Sequence, residues 1–314
     1  MQVARSLIPR HVDEGARSPD VPGREAAVVQ HGNPSVRRVR LGLRLRRLRE
    51  RAGMVGDAAA ARLGWSAAKV SRIETARTFP SVADVEDLMA LYEAAPGVRQ
   101  EVFGLYRDAG RRRWYDEYRG VLAAPALEVL DREAEAERAW VWEPQVIPAL
   151  LRTHDYARLV MRGMHAIEPV AETTVARRLE ALKARQAYLL DGSRPFTLAA
   201  VVHVSALRRS LGDARVLRDQ LCHLAEMSRS EQVRLRVLAQ ESPHPMTAGP
   251  FVHLRFPDLP AVVYLEEILG TRLVSDAGQV RGYERAFDHL CAVALDEADS
   301  RLLIRDLAGG GRRP

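Results

Sequence analysis

The sequence predicts a mainly α chain in two parts: a five-helix N-terminal bundle containing a helix-turn-helix, then a larger α+β domain with a small, mostly antiparallel sheet. Three observations carry this. Short amphipathic patterns with serine caps crowd residues 34–110, β-like alternation is confined to the second half, and the charge is divided unequally between them. The chain has 314 residues, 47% apolar and 28% charged, enough to bury two moderate cores. From Pro34 to Arg113 seventeen basic residues stand against nine acidic ones, a balance of +8 in a chain of net charge +6, so the remainder sums to −2. A basic excess confined to one segment beside a near-neutral partner is the footprint of a nucleic-acid-binding module.

Residues 1–33 lack the sustained apolar stretch of a secretory signal and, with their prolines and mixed charges, read as a disordered extension. The expected location is the cytoplasm, with nucleoid association when bound to DNA. Apolar runs such as LAAVV at 198–202 fall far short of the ~20 residues of a membrane span.

Residues 34–110 form the expected DNA-binding domain. Its first helix starts after Ser35, carries Val36, Val39, Leu41, Leu45 and Leu48 on its apolar side, and closes at Gly53. An alanine-rich second helix covers 56–62 and ends at Leu63-Gly64, and a third starts from Ser66 with Val70 and Ile73 on one face. The loop TARTFP leads to Ser81, which caps a fourth helix, VADVEDLMALYEA; Pro96 opens the fifth.

Residues 111–125, aromatic and basic, connect this bundle to the α+β domain, 126–308. Helices are expected there at 126–142, 153–165, 171–190 and 213–229, and β-runs at 196–204, 233–239, 251–256, 261–266 and 271–275. Helices near 277–295 and 297–307 close the domain before a flexible tail, 309–314.

The stretch LGWSAAKVSRIE at 63–74 carries the chemistry: a glycine turn and an N-cap serine start a helix whose N-terminal residues would point at base edges in a major groove. Its reading face holds Ala67, Ala68, Lys69, Ser71 and Arg72, after Ser66 and before Arg77. Arg72 is the best candidate for base readout, because a guanidinium can fork onto guanine O6 and N7 for about 1–3 kcal/mol of discrimination. Alanine offers only a methyl group, and is also simply a good helix former. Of the first helix's arginines (Arg37, Arg38, Arg40, Arg44, Arg46, Arg47, Arg49 and Arg51), only a subset can face a phosphate backbone; Arg37 and Arg38 are the candidates, and some of the others are a solvated basic face.

The segment SVRRVRLGLRLRRLRERAG…AARLGWSAAKVSRIETARTFPSVADVEDLMALY resembles repressor-like helix-turn-helix regulators of the xenobiotic-response-element (XRE) type, notably a large actinobacterial group in which LGWSxSKVSRIExGRTxPSxxDV is close to a signature. Beyond the bundle, WEPQVIPALLRTHDYARLVMR, VVHVSALRR and HPMTAGPFVHLRFPDLPAVVYLEEILG are similar to the antitoxin-like C-terminal domain of the same group, so the resemblance spans about 33–305. It implies double-stranded DNA as ligand, a homodimer, a small partner protein encoded by a neighbouring gene, and a structural ion pair between Arg49 and Glu74. The residues themselves lead to the expectation of no cofactor, no metal and no membrane.

Three positions depart from the group. Val55-Gly56 replaces a Thr-Gln whose glutamine meets a phosphate, leaving the Gly56 N–H for that contact; Ala67 replaces a glutamine; and Val204 replaces a glutamate after the first β-run. The first two imply weaker or altered operator binding.

Two rival classes remain. In the catalytic one, His203, His223, His244, His253 and Glu266 gather into a hydrolytic or metal site, yet no HExxH, GxSxG, Walker or GxGxxG pattern occurs and the expectation is a non-enzyme. In the sensor, Trp140, Trp142, Tyr156, Tyr188, Phe251 and Tyr264 wall a ligand pocket; core packing accounts for the same residues. Cys222 and Cys291 fall in amphipathic helical patterns and are expected to be buried free thiols, since neither has a cysteine or histidine at ligand spacing.

Overall fold

The computed structural model describes residues 34–243, 249–267 and 270–310; the expected extension 1–33 and residues 311–314 of the tail lie outside them. Ser35 accepts the Arg38 amide and starts α1 (Val36–Arg51). α2 (Gly56–Leu63) ends on Gly64 in the left-handed region, and α3 (Ala67–Glu74) starts from Ser66. A capping box pairs Ser81 with Asp84 at the head of α4 (Val82–Leu91), and Pro96 opens α5 (Pro96–Gly110). Leu41, Leu45, Ile73, Leu88, Met89 and Val102 bury the faces these patterns predict and form one apolar core.

The connecting segment contains a 3₁₀ turn, Trp114–Tyr118, and is anchored. Tyr115 and Tyr118 are buried with Leu130, Ala134 and Ala181, and Trp114 packs on Tyr188 at 5.6 Å between ring centroids.

The α+β domain follows with α6 (Ala124–Glu133), β1 (Arg138–Glu143), α7 (His154–Gly163), α8 (Glu172–Leu190), β2 (Thr197–His203), α9 (Val204–Arg208), α10 (Ala214–Met227) and β3 (Val233–Leu238). Then come β4 (Phe251–Arg255), β5 (Val262–Glu267), β6 (Gly270–Val274), α11 (Ala277–Val293) and α12 (Glu297–Ala308). The six strands form one mixed sheet in the order β3-β2-β1-β4-β5-β6, with β3, β2 and β1 parallel and the other three pairings antiparallel. Ala139 and Val141 join the core on one face of the sheet, which also holds Leu221, Leu224 and Ile304 from α10 and α12; Trp142 joins Phe287 and Leu290 of α11 on the other.

The single helix expected over 126–142 is two elements, α6 and then β1. Its alanines and charges favour a helix locally, but Ala139–Trp142 lies between β2 and β4, and a strand buried on both faces overrides propensity. Both cysteines are free; Cys222 is exposed, on the solvent side of α10, and only Cys291 is half-buried, where burial pushes its thiol pKa up. No helix among the described residues is long and apolar enough to cross a membrane.

Candidate nucleic-acid interface

The turn between α2 and α3 depends on Gly64, at φ 66°, whose N–H reaches Ala60 and Ala61 carbonyls. Trp65 N–H then bonds the Ala60 carbonyl at 2.9 Å, closing the turn. Ser66 has extended backbone, and its hydroxyl accepts the Lys69 N–H at 3.2 Å, so α3 begins at Ala67 and its first turn is capped.

Val70 and Ile73 point inward, 1% and 2% exposed. That orientation leaves Ala67, Ala68, Ser71 and Arg72 exposed at helical spacing on one face, flanked by exposed Ser66 and Arg77. Gly56, at the head of α2, is half-buried; its N-cap is Val55, so no side chain caps the first-turn amides. Those N–H groups are arranged to donate to a phosphate oxygen.

Lys69 does not belong to the exposed set. Its ammonium lies 2.5 Å from Asp84 Oδ1 and 3.7 Å from the centre of the Trp65 ring. Burial opposes ionisation of Asp84, but the bonds from Lys69 and from the Ser81 N–H, at 2.9 Å, hold its pKa below the usual carboxylate range. Lys69 therefore joins α3 to α4. Its position, one residue before Val70, turns it to the side where α4 lies.

The first-helix candidates also divide. Arg37 lies 2.5 Å from Glu135 and donates to the Asp108 carbonyl at 3.4 Å; its guanidinium faces the α+β domain and is engaged there. Arg38 is exposed, with its guanidinium 4.9 Å above the Phe79 ring. Phe79 stacks on Tyr106 at 4.9 Å, so Arg38 rests on a fixed platform.

Arg49 and Glu74 meet as a fork, Nε to Oε1 at 2.7 Å and Nη2 to Oε2 at 2.8 Å, while Nη1 donates to the Met54 carbonyl at 2.7 Å. Each side chain is about a tenth exposed (10% and 9%), so the pair ties the end of α3 to the end of α1 with little screening. Gly42, which the sequence gives no local reason to single out, makes that crossing: a Cβ there would lie 2.5 Å from the Glu74 carbonyl oxygen and 2.9 Å from that of Ile73.

The histidines of the catalytic alternative stand in separate settings. His203 caps α9, accepting the Ser205 N–H at 3.2 Å; His223 is half-buried on α10, its pKa lowered by burial; and His244 lies outside the described residues. His253 is 1% exposed, 4.7 Å from the Trp140 ring, with Nε2 3.2 Å from Glu284. No group of three or more His, Cys, Asp or Glu among the described residues is placed to hold a metal ion.

The candidate pocket aromatics are mostly packing. Trp142, Tyr156, Phe251 and Tyr264 are fully buried, Trp140 stacks between His253 and Phe287, and Tyr188 meets Trp114. Trp142 and Phe251 border a crevice of about 20 Å³ with Glu133, Glu143, Arg185 and Glu266, room for about one water. Arg185 forks onto Glu133 at 2.6 Å through both nitrogens. Burial, with Glu266 nearby, pushes the Glu143 pKa up to about 7.

Comparison with known families returns two matches: a helix-turn-helix domain over residues 40–102 and a domain of unknown function (DUF5753) over residues 127–306. No curated protein and no solved structure gives a significant match.

Proposed function

Because the chain belongs to the DUF5753 family and carries a helix-turn-helix domain ahead of that region, we propose that it is a sequence-specific transcriptional regulator of the XRE type, acting on double-stranded DNA and not as an enzyme. The observation that carries this is the exposed face of α3. Ala67, Ala68, Ser71 and Arg72 lie together on a short, capped helix whose other side is buried, whose end is forked to α1, and whose flank is held by Lys69–Asp84. A rigid helix presenting small side chains approaches a major-groove floor closely, and Arg72 reaches a guanine edge. Arg38, Arg77 and the Gly56 N–H supply phosphate contacts, and the cytoplasm and its nucleoid are the place of action.

The α+β domain serves dimerisation and receives a signal or a partner. The crevice at Glu143 has room for about one water, whereas a polar recess of about 280 Å³ lined by Arg37, Arg40, Asp108, Arg111 and Glu135 approaches the size of a ligand pocket, so the antitoxin-like protein partner and the small-molecule sensor both stand as alternatives. Genome-wide chromatin immunoprecipitation tests the function. Reproducible enrichment at a set of sites sharing a palindromic motif is the expected result; uniform background across the genome would overturn it.

A further inference from the structure

Helix α1 is held at one end by the α+β domain and at the other by the recognition helix. Its first residue, Val36, is 1% exposed and belongs to the apolar core of the α+β domain. The Val36 N–H donates to Asp131 Oδ2 at 2.7 Å, while Asp131 Oδ1 accepts the Tyr115 hydroxyl at 2.5 Å and lies 3.3 Å from Arg113. One turn along, Arg40 bonds Glu135 at 2.8 Å beside Arg37, and forks onto Asp258, in the β4–β5 turn, at 2.6 and 3.0 Å. Farther along the same helix, Gly42 lies against the Ile73 and Glu74 carbonyls and Arg49 grips Glu74.

We propose that α1 is a lever through which the α+β domain sets the position of the recognition helix, with Asp131, Glu135 and Asp258 as positioning residues. The inference rests on the DNA-binding reading and adds to it a route between the two domains. α1 is 16 residues, roughly 24 Å of continuous helix, so a displacement of its Val36 end carries to its Arg49 end with little bending. The two ends differ in kind. At Gly42 and Arg49 the contact is backbone against backbone plus one fork shielded from water. At the other end Val36 and its bond to Asp131 are buried, and beside them stand ion pairs: Arg37 and Arg40 on Glu135, itself as shielded as Arg49, and Arg40 on the 42%-exposed Asp258, which water and salt reach. A partner that competes for the exposed Asp258 therefore loosens the Arg40 part of that anchorage while α1 and α3 still move as one body. In a dimer, that changes the relative setting of two recognition helices, on which binding at a full palindromic site depends and binding at a single half-site does not.

The test uses the full chain with Glu135→Gln and, as a variant that leaves the buried Asp131 network untouched, Asp258→Asn. Hydrogen exchange is followed at α1 and α3, and affinity is measured on a fragment recovered by chromatin immunoprecipitation, on its isolated half-site, and across salt concentration. Glu135→Gln should raise exchange at the first turns of α1 and at α3 together by tenfold or more with α10 and α12 unchanged. It should lower full-site affinity about tenfold, leave half-site affinity unchanged, and leave the salt slope as in the parent; Asp258→Asn should do the same more weakly. Faster exchange in α1 with none in α3, or full-site affinity equal to the parent's in both variants, overturns the lever. So does tighter binding with a salt slope steeper by about 0.9 per released arginine, which would make Glu135 a mask over phosphate-binding side chains. If the parent binds no DNA, the DNA-binding reading fails, and the paired exchange at α1 and α3 still decides the lever.

Discussion

Replacing Gly42 by alanine tests the packing that supports the recognition helix, because two effects of opposite sign compete there. Gly42 lies inside α1, and a glycine in an exposed helix interior is worse than alanine by about 1 kcal/mol, so propensity alone predicts stabilisation. The added Cβ would sit 2.5 Å from the Glu74 carbonyl oxygen, where ordinary contact begins at 3.4 Å, so α1 and α3 must separate by about 0.9 Å. The obstructing atoms are backbone and cannot rotate away. Overpacking of this kind costs roughly 1–3 kcal/mol, and the Arg49–Glu74 fork, two turns on, is stretched as well. Set against the propensity gain, this leaves a net loss of up to about 2 kcal/mol. Gly104→Ala is the control: that glycine is also interior to a helix, α5, but a Cβ there meets nothing within 4 Å, and it should stabilise by about 0.5–1 kcal/mol. Urea denaturation of both variants supplies the midpoints. If Gly42→Ala raised the midpoint as Gly104→Ala does, the close crossing would have no role in stability.

Arg72→Ala should lose about 1–3 kcal/mol of discrimination between operator and scrambled DNA with little change in salt slope, measured by fluorescence anisotropy; Arg77→Ala should weaken both DNAs alike and lower the slope by about 0.9. Lys69→Met should cost about 1 kcal/mol of stability and leave the salt slope unchanged, since its ammonium is held by Asp84 and Trp65; a slope lower by about 0.9 would show that Lys69 meets a phosphate. Glu143, with its pKa at about 7 against an ordinary 4.5, keeps its proton in the folded state over a range where the unfolded chain releases it, so its contribution falls as pH rises from about 4.5 to about 7. Glu143→Gln should therefore gain stability relative to the parent across that window, by up to about 3 kcal/mol at pH 8, and equal pH profiles in thermal melts would refute the assignment.

Much of the bundle is legible because its signals are local. Ser35, Ser66 and Ser81 cap helices, Gly64 takes a left-handed turn, and Val70 and Ile73 point inward, each from its own neighbours in sequence. β1 is not legible in that way: AWVW follows a charged, alanine-rich helix, and its strand character comes from β2, more than fifty residues later, and from β4. The interface divides along the same line. Exposure of Ala67, Ala68, Ser71 and Arg72 follows from helical periodicity, but the engagement of Arg37 and Lys69 depends on Glu135 and Asp84, whose proximity no spacing reveals. In a helix as rich in arginine as α1, the count of basic residues gives the charge and not its direction.

The reading face itself limits how specificity is achieved. Ala67 and Ala68 make no hydrogen bonds through their side chains, so only Ser71 and Arg72 on the exposed face can address base edges directly. One well-placed arginine contributes about 1–3 kcal/mol of discrimination, so two copies in a dimer contribute roughly 2–6. Specific binding commonly exceeds non-specific binding by about 4–10 kcal/mol. The shortfall has two sources that need no polar side chain on α3. One is the shape and deformability of the DNA, which small residues exploit by letting the helix sit deep in the groove. The other is the fixed separation of two half-sites, which rejects any DNA whose repeats are out of phase. Spacing is read only as accurately as the recognition helices are held, so an alanine-rich reading face places the burden on Gly42, on the Arg49–Glu74 fork and on the anchorage of α1 in the α+β domain. Inserting base pairs between the half-sites should therefore cost this protein a larger share of its specificity than any single base substitution within them.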